Sequence, residues 1–526
     1  MRAVLAALGL SSMLAVTLAA AESGVLRIGN GQEPETLDPH RAESVSALAI
    51  LRDLYEGLTS VAPDGRIVPG AAVGWRVLHG GRVYFFDLRP QARWSNGEPV
   101  TAQDFVAGLR RSVDPATGGS FGGMLSPIVN ATEIAAGRLP PERLGVQAVG
   151  PLRLRIELTA PSPQLLGLLA HPSAFPVHAP SVRQWGDAFA RPGRLVGNGA
   201  YLLQTWIVQS QITLARNVHY WNDVATHISQ VRYLPTEDVG SELKRYRAGE
   251  IDITYQIPLV QAPWIRRQLG DELRLATYLG VYYYGFNVTR PPFKDNRALR
   301  QALAMAVDRE LIVNKVMNGV AQPALGWVPP GTSGHRGRAL AWMHWPRERQ
   351  LAEARRLYAE AGYSEARPLE IELRYNTHED HKRIAVVIAA MWKQHLGVRT
   401  RLFNEETKVY LHNRRQRQVT QVFRATWIGD YDDVSTFTDI LQSSHGQNDT
   451  GWADAEYDAL IAGAAAAVDP LQRQQMLAAA EARLLSEWPV IPIYWYVSKH
   501  LVKPRVQGWQ DNLLDYHYSK DLRLLP

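Results

Sequence analysis

The 526-residue sequence contains no cysteine. This absence excludes disulfide bonds, thiol-based catalysis and the attachment of a lipid to an N-terminal cysteine. Beyond the first 21 residues, no apolar run reaches the roughly 18 residues that a membrane-spanning helix needs. A strong excess of one charge is also lacking, because the net charge is only +6 and no basic run is longer than residues 413–417. We therefore expect a soluble mature protein that has no membrane anchor and no nucleic-acid partner.

The first 21 residues have the pattern of an export signal. Arg2 gives the charged start, Val4–Leu18 the apolar stretch, and Ala19–Ala21 the small residues of a cleavage site. The mature chain is therefore predicted to begin at Glu22. Export without a lipid-accepting cysteine predicts a protein that is free in a periplasm-like space.

The composition is that of a globular protein with several domains, since 46% of the residues are hydrophobic and 21% are charged. Aromatic residues are frequent, with 21 tyrosines and 15 tryptophans. They favour a pocket that contacts its ligand through aromatic faces and polar tips. Ordinary core packing is the alternative interpretation.

The second half of the chain alternates between helix and strand patterns. Leu369–Tyr375 is predicted to be a strand, Lys382–Leu396 a helix that ends at Gly397, and Val398–Phe403 a second strand. This order predicts a βαβ unit in an α/β domain.

Three earlier segments also give specific predictions. Ala102–Val113 is predicted to be a helix with Thr101 as its N-cap, and Gly249–Tyr255 an edge-like strand. The long strand Thr277–Asn287 carries four tyrosines that are expected to line a cleft. Its glycines, Gly280 and Gly285, are expected to permit a bend between domains.

The segment from Arg424 to Asp433 places opposite charges on one short stretch, with apolar and small residues between them. As a strand, it would carry Arg424 and Asp430 on one face, about 20 Å apart at roughly 3.3 Å per residue. That arrangement suits a ligand with two charged ends. Two unrelated surface charges are the alternative.

Two motifs suggest enzymatic or metal chemistry, and neither has the context that its chemistry requires. Gly118–Gly122 matches the G-x-S-x-G pattern of serine hydrolases around Ser120, but a turn precedes it where a strand is needed. His378 and His381 flank Glu379 and Asp380, but no third strong zinc ligand with a fixed geometry is evident. We therefore predict no catalytic residue, no metal and no cofactor.

Ten short strings occur in a characteristic order along the chain. They are TLDPH at Thr36, DLYEGL at Asp53, WSNGEPVTAQDF at Trp94, RNVHYW at Arg216, RYRAGEIDITY at Arg245, YYYGFN at Tyr282, AVDRELIVNKV at Ala306, YNTHEDHK at Tyr375, TWIGDY at Thr426 and LVKP at Leu501. With them the chain, from about Ile28 nearly to Pro526, resembles the oligopeptide-binding proteins of bacterial ABC peptide permeases.

The resemblance implies an α/β, two-lobed periplasmic-binding-protein fold with an extra inserted domain and a ligand cleft between the lobes. After the signal peptide at 1–21, domain I would comprise 22–45, 170–279 and 494–526. Domain II, inserted in the first lobe, would comprise 46–169, and domain III 280–493.

The resemblance also implies a function. The protein would capture short peptides in extended form, by their charged termini and their backbone, and deliver them to an inner-membrane ABC permease through a transient contact. We expect a periplasmic monomer that is not an enzyme.

The implied peptide-binding residues follow from the same match. Asp430 would pair with the α-ammonium group, and Arg424, His381 and Arg414 would meet the C-terminal carboxylate of peptides of different length. Arg415 is an equal choice for Arg414 by a shifted register. The further expected contacts are Trp427, Gly429, Glu33, Tyr255, Tyr283, Tyr494 and Tyr496.

The chain departs from the family pattern at Met317, Thr407, Phe121 and Pro34, where the family places ligand-contacting groups. Peptide length and side-chain preference are therefore not predicted. Three alternatives stay open: a relative specialised for a non-standard ligand such as a murein tripeptide, a peptide-binding sensor or chaperone, and a secreted hydrolase that uses Ser120.

Overall fold

The computed structural model describes residues 24–333, 335, 340–467 and 469–525. The predicted export signal lies outside these residues. The chain divides into two compact units: the first contains residues up to Arg274 together with Lys499–Pro526, and the second is Leu275–Ser498. The finer division into three domains stays a prediction.

The strands alternate with turns and helices along the whole described chain. In chain order they are β1 (Val25–Gly29), β2 (Thr59–Val61), β3 (Ile67–Pro69), β4 (Ala72–Leu78), β5 (Val83–Leu88), β6 (Val146–Ala148), β7 (Arg153–Glu157), β8 (Tyr201–Ile207), β9 (Gln211–Arg216), β10 (Gln230–Leu234), β11 (Leu273–Phe286), β12 (Gln322–Pro323), β13 (Glu370–Asn376), β14 (Arg399–Glu405), β15 (Val422–Ile428), β16 (Val490–Leu501), β17 (Val506–Gln507) and β18 (Arg523–Leu524).

The α-helices range from single turns to eighteen residues. In chain order they are α1 (Val45–Leu54), α2 (Ala102–Val113), α3 (Ala131–Ala135), α4 (Leu165–Leu168), α5 (Ala179–Trp185), α6 (Val239–Arg247), α7 (Ala262–Gln268), α8 (Arg297–Ala306), α9 (Arg309–Leu311), α10 (Arg347–Glu360), α11 (Glu379–Leu396), α12 (Thr407–Gln416), α13 (Ser435–Thr438), α14 (Ala455–Ala466) and α15 (Pro470–Glu487).

The first unit is built around two four-stranded sheets, ordered β1-β10-β9-β8 and β4-β5-β7-β6. Helix α2 belongs to the core of this unit, where Phe105 and Leu109 are fully buried. The side chain of Asp104 in the first turn accepts hydrogen bonds from the backbone N–H and the hydroxyl of Thr101. These hydrogen bonds at the N-terminus explain why the helix begins at Ala102, as the sequence predicts.

The second unit contains one six-stranded sheet in the order β12-β16-β11-β15-β13-β14. Strand β13 pairs in parallel with both β14 and β15, whereas β11 and β15 are antiparallel. Helix α11 connects β13 to β14, so the predicted βαβ unit is confirmed. Because β13, β14 and β15 run in the same direction, their carboxyl ends meet at one edge of the sheet, where ligand-binding residues are commonly found.

Helix α11 begins three residues earlier than the predicted start at Lys382. The ring of His378 accepts a hydrogen bond from the backbone N–H of Asp380, which makes His378 the N-cap. The predicted end is correct, since Gly397 follows the helix with a left-handed φ of 73°.

The prediction of a strand at Gly249–Tyr255 is wrong, because only isolated bridges form there, at Ile253. The backbone N–H groups of Tyr255 and Gln256 donate instead to the carboxylate of Glu242, at 2.9 and 3.4 Å. A side chain therefore takes the hydrogen bonds that a neighbouring strand would have provided.

The tyrosines and glycines of β11 have a packing role. Tyr282 and Tyr284 are fully buried, which corrects the expectation that all four tyrosines line a cleft. A Cβ at Gly280 would lie 2.4 Å from Cδ1 of Ile428, and one at Gly285 would lie 2.2 Å from the ring of Phe423. These glycines let β15 side chains pack closely on β11, which remains one continuous strand.

Both units mix helices with sheets, and the predicted α/β class is confirmed. Within the described ranges, we find no helix that is long and apolar enough to cross a membrane.

Candidate functional site

Arg424 lies in the middle of β15, where it is paired with Tyr284 of β11. Its guanidinium group is 4.8 Å from the centre of the Tyr282 ring. One terminal nitrogen of the guanidinium donates a 3.3 Å hydrogen bond to the side-chain oxygen of Asn376, at the carboxyl end of β13. The sheet thus holds Arg424 between an aromatic face and an amide.

Arg424 has no anionic partner in the part of the chain that the structure describes. None of the ion pairs between described residues includes it, and its Nε atom is buried without a hydrogen-bond acceptor. A partly buried cation without a counter-ion is unfavourable, and a carboxylate from outside the protein would satisfy it. Arg424 can therefore pair with an anion from outside the protein.

A cluster of tyrosines supports this cation. Tyr282 stacks on Tyr494, with ring centres 4.7 Å apart, and Tyr494 contacts Tyr496 edge-on at 5.3 Å. The hydroxyl of Thr426 donates a 3.0 Å hydrogen bond to the hydroxyl oxygen of Tyr496. Burial raises the pKa of Tyr282 and Tyr494, so both phenols stay neutral and do not compete with a ligand for Arg424.

His381 lies beside the same tyrosines, in the first turn of α11. The hydroxyl of Tyr282 is 3.4 Å from Nδ1 of His381. Burial and the nearby positive charge of Arg424 lower the pKa of His381 to about 3. The imidazole is thus neutral at physiological pH, and it can meet a carboxylate as a hydrogen-bond donor rather than as a second cation.

Arg414, on helix α12, already has an anionic partner. Its Nε is 2.6 Å from Oδ2 of Asp449, and their side chains are 13% and 6% exposed. The N–H does not point along this contact, so the pair is electrostatic rather than an aligned hydrogen bond. Burial raises the pKa of Asp449, and Arg414 opposes that shift. The alternative residue, Arg415, is exposed.

Asp430 lies beyond the end of β15, because the strand stops at Ile428 and the N–H of Gly429 donates to the carbonyl of Leu279 at 2.7 Å. The expectation that Arg424 and Asp430 share one face of a strand is therefore wrong. The Asp430 side chain is exposed, but the surrounding protein partly desolvates its carboxylate and raises its pKa to about 6.

The carboxylates that follow Asp430 in sequence are used within the protein. Asp432 accepts a 2.7 Å hydrogen bond from the N–H of Ser333, and Asp433 binds Arg473 through both of its oxygens. Among the described residues, no hydrogen bond or ion pair links the Asp430 side chain to a cation. Asp430 is thus the carboxylate of this loop that is available to an ammonium group.

Gly429 and Trp427 fix the loop that carries Asp430. A Cβ at Gly429 would lie 2.7 Å from Cδ2 of Leu279 and 2.9 Å from Cγ2 of Thr436. The indole N–H of Trp427 donates to the hydroxyl of Thr436 at 3.3 Å. The loop therefore packs too closely for any larger residue at 429.

Tyr283 points to the opposite side of β11 from Tyr282. It is buried, and its ring contacts Trp327 edge-on at 4.9 Å. The structure thus places Tyr283 in the interior of the second unit.

The two expected site residues of the first unit are each held by neighbours within that unit. The carboxylate of Glu33 accepts hydrogen bonds from the indole N–H of Trp206, at 2.6 Å, and from the N–H of Gln209, at 3.0 Å. The ring of Tyr255 packs on Gly31, where a Cβ would lie 2.9 Å from it.

Gly29 is required for the same local structure. A Cβ at this position would lie only 1.7 Å from Oε1 of Glu242, the carboxylate that binds the N–H of Tyr255. Gly29 and Gly31 therefore allow the Glu242 and Tyr255 side chains to pack directly on the backbone at and just after the end of β1.

Neither the G-x-S-x-G motif around Ser120 nor the pair His378 and His381 has the local structure that catalysis or metal binding requires. A 3-10 helix at Pro115–Thr117 precedes Ser120, whose hydroxyl donates to Glu43; a nucleophile elbow requires a strand there. His378 caps α11, and no group of three possible metal ligands is found around it within the described residues.

Sequence reasoning missed several residues that shape this site. Asn376 contacts Arg424, Asp449 neutralises Arg414, and the hydroxyl of Tyr410 donates to the backbone carbonyl of Arg424. Only Asn376 has a usable sequence signal, because it is a polar residue at the carboxyl end of a predicted parallel strand. The other two depend on contacts between distant segments.

Known proteins share this architecture. The periplasmic oligopeptide-binding protein OppA of Escherichia coli is 38% identical over 97% of this chain and 94% of its own length. The probable deoxycholate-binding periplasmic protein YgiS of Escherichia coli is 38% identical over 95% and 93%. The solved structure of the Escherichia coli murein tripeptide-binding protein MppA is 36% identical, covers 95% of this chain and 98% of its own, and has a TM-score of 0.80.

The family model of the bacterial extracellular solute-binding proteins, family 5, matches residues 66–449. This match covers well over half of the chain, and the relatives cover nearly all of it. The chain therefore belongs to the family 5 bacterial extracellular solute-binding proteins.

Proposed function

We propose that this chain is the periplasmic substrate-binding component of an ABC transporter and that it captures short peptides in extended form. The observation that carries the proposal is Arg424, a partly buried cation that has an aromatic neighbour and no carboxylate partner among the described residues. A peptide with a free C terminus supplies the missing anion.

Each end of the peptide has its own partner in this proposal. The C-terminal carboxylate binds Arg424, and neutral His381 donates a hydrogen bond to it. The α-ammonium group binds Asp430, whose carboxylate is available in the loop after β15. The residues Trp427, Gly429, Tyr494 and Tyr496 of the second unit, and Glu33 and Tyr255 of the first, are proposed to shape the path of the backbone and the side-chain pockets.

Arg414 has a lesser role than the sequence predicts. Its charge is matched by Asp449 at 2.6 Å, so a ligand carboxylate gains less from Arg414 than from Arg424. We therefore expect higher affinity for peptides whose C terminus reaches Arg424 than for peptides whose C terminus reaches Arg414.

The protein acts as a monomer in the periplasm, meets its inner-membrane permease transiently, and releases the peptide without chemical change. Domains I, II and III, with the bounds predicted from the sequence, form its ligand-binding framework.

The names of the relatives raise a second candidate. Oligopeptides, a murein tripeptide and deoxycholate are the ligands named for proteins that are 36–38% identical to this chain. All three ligands carry a carboxylate, but only the peptides also carry an ammonium group. The available carboxylate of Asp430 thus favours a peptide over a bile acid, and it leaves ordinary and murein peptides as competing candidates.

Mass spectrometry of ligand released from gently purified protein tests the proposal directly, and we expect short peptides. Calorimetric titration then compares tri-alanine, N-acetyl-tri-alanine, a murein tripeptide and deoxycholate. We expect acetylation to weaken binding by on the order of 2–5 kcal/mol, because it removes the charge that pairs with Asp430.

The variant Asp430→Asn should weaken binding of tri-alanine by a similar amount. This variant should bind tri-alanine and N-acetyl-tri-alanine with the same affinity. Asp432→Asn is the matched control. It also removes one negative charge from this loop, but the Asp432 carboxylate already accepts a hydrogen bond from the N–H of Ser333. Tight binding of deoxycholate and none of any peptide would refute the proposed function.

A further inference from the structure

Three potential metal ligands come together near the end of the chain, within the first unit. His500 is the second-last residue of β16, and Asp515 and His517 lie between β17 and β18. Nε2 of His500 is 3.0 Å from both carboxylate oxygens of Asp515, and Nε2 of His517 is 3.1 Å from Oδ1. All three ligand atoms lie within 4.8 Å of one another.

These separations match those between the ligands of a small metal ion. Zinc binds histidine nitrogen and carboxylate oxygen at about 2.0–2.2 Å, so neighbouring ligand atoms of a tetrahedral site are about 3.3–3.6 Å apart. The observed nitrogen–oxygen distances are a few tenths of an ångström shorter. Small side-chain rotations would therefore accommodate the ion.

The tautomer of His500 is fixed by a backbone group. Its Nδ1 is 2.8 Å from the carbonyl oxygen of Thr254, and a carbonyl can only accept, so Nδ1 carries a hydrogen. In the neutral ring, Nε2 then directs its lone pair at the two oxygens of Asp515. Only a cation between these atoms makes this arrangement favourable, and that cation is either a proton or a metal ion.

The bond to Thr254 is also the support that metal-binding histidines usually have. A ligating imidazole typically donates its other N–H to a carbonyl or carboxylate, which orients the ring and makes the free nitrogen more basic. The hydroxyl of Thr254 accepts a hydrogen bond from the N–H of Leu501 at 2.8 Å, and the backbone N–H of Thr254 donates to the carbonyl of Leu501 at 3.0 Å. His500 is thus held in place by hydrogen bonds between the end of β16 and Thr254.

The other two residues are also positioned by packing. The ring of His517 stacks on the indole of Trp509, with centres 3.6 Å apart and an angle of 20°. Asp515 has a left-handed φ of 56°, and its N–H donates to the carbonyl of Asn512 at 3.1 Å. The side chains of His500, Asp515 and His517 are 11%, 22% and 13% exposed, so an ion can reach them from solvent.

We propose that His500, Asp515 and His517 form a binding site for a divalent transition-metal ion, with zinc as its occupant and water as the fourth ligand. Two imidazoles and one carboxylate suit zinc and its neighbours in the first transition row. Calcium and magnesium prefer oxygen ligands alone. A bound ion would tie the end of β16 to the segment before β18.

Zinc titration of the full mature chain, after treatment with EDTA and its removal, tests this site. A chromogenic chelator competes for the ion, and the wild type is compared with Asp515→Asn and His517→Gln. We expect one tightly bound zinc per wild-type chain and at least a roughly 100-fold loss of affinity in each variant, since even the loss of a supporting hydrogen bond costs about 10–100-fold. Asparagine is chosen because it tolerates the left-handed backbone of residue 515.

Other histidines are the main source of false binding, because the chain has 15 histidines in all. His227→Gln is the matched control, since His227 is an exposed histidine of the same unit and should leave the tight site unchanged. Zinc bound at His378 and His381 would also survive Asp515→Asn. Circular dichroism and unchanged tri-alanine binding show that the variants are folded, and zinc should raise the thermal midpoint of the wild type and the control only.

Cobalt gives an independent readout of geometry. Cobalt bound to the wild type should show the intense visible absorption of a tetrahedral site, and Asp515→Asn should not. Equal zinc affinity of the wild type and Asp515→Asn, or no stoichiometric binding by the wild type, would show that the cluster holds only a proton and would overturn the proposal.

Discussion

The guanidinium group of Arg424 lies 4.8 Å from the ring centre of Tyr282, and this aromatic face takes the place where a carboxylate would be expected. A cation over an aromatic ring gains about 0.5–2 kcal/mol, whereas removing an ion from water costs several kcal/mol. The ring therefore offsets only part of the cost of burying Arg424. The unliganded protein retains an unfavourable charge whose cost a bound anion would relieve.

This relationship predicts opposite effects for two arginines. Arg424→Met should abolish peptide binding and stabilise the unliganded protein by roughly 1–4 kcal/mol, because it removes a charge without a partner. Arg414→Met should destabilise it by about 3–5 kcal/mol, because Asp449 is left buried and unpaired. Denaturant unfolding of both variants measures the difference. Similar destabilisation by the two substitutions would show that Arg424 is satisfied in the unliganded state.

The raised pKa of Asp430 predicts a pH dependence of binding. With a pKa of about 6, the free carboxylate is mostly ionised at pH 7 and mostly protonated at pH 5. Affinity for tri-alanine should therefore fall about tenfold from pH 7 to pH 5, since the peptide termini keep their charges over this range. His381 remains neutral throughout, with a pKa of about 3. Calorimetry at several pH values tests this.

Asp430→Asn is the control for that experiment, because it removes the titrating group without changing the shape of the loop. Its affinity should be low and nearly independent of pH between 5 and 7. A tenfold change that persists in this variant would assign the titration to another residue.

A further prediction concerns the packing of the loop that carries Asp430. Gly429→Ala would place a methyl group 2.7 Å from Leu279 and 2.9 Å from Thr436, so the loop must move. We expect a loss of about 1–3 kcal/mol in stability and a clear loss of peptide affinity. Gly446→Ala, where a Cβ meets open space, should change stability by less than about 0.5 kcal/mol. Equal effects of the two substitutions would remove Gly429 from the site.

Ser120 is predicted to have no role in catalysis. It lies after a 3-10 helix, and its hydroxyl donates to Glu43. Prolonged incubation with tri-alanine, followed by chromatography, should show the same intact peptide for the wild type and for Ser120→Ala. Amino acids released by the wild type and not by the variant would support the hydrolase alternative.

The sequence predicts elements well where apolar spacing and caps agree. Helix α2 lies where the sequence predicts it, because Thr101, Asp104 and the apolar spacing of the helix are all local signals. The order β13, α11 and β14 followed from the same kind of evidence. Helix α12 was not predicted, because its sequence TKVYLHNRRQ is mostly polar and only Tyr410 is fully buried.

Which charged residues of the site are paired with each other is much harder to predict from the sequence. Arg414 and Asp449 are 35 positions apart, and nothing in either neighbourhood indicates that they meet. The same limit applies to Glu242, which replaces a β-strand partner for Tyr255. Resemblance to a family indicates which residues could contact a ligand and what their side chains are. Whether such a side chain already has an ion-pair partner depends on contacts between distant segments.

The close approach of Glu242 to Gly29 constrains how this protein can evolve. A Cβ at position 29 would lie 1.7 Å from Oε1 of Glu242, so a larger residue there would displace this carboxylate from the backbone N–H groups of Tyr255 and Gln256. With a shorter residue at 242, the steric cost of a substitution at 29 would be smaller. The two positions are therefore epistatic. A library that varies residue 29 alone should return glycine, whereas one that varies both positions should return linked pairs.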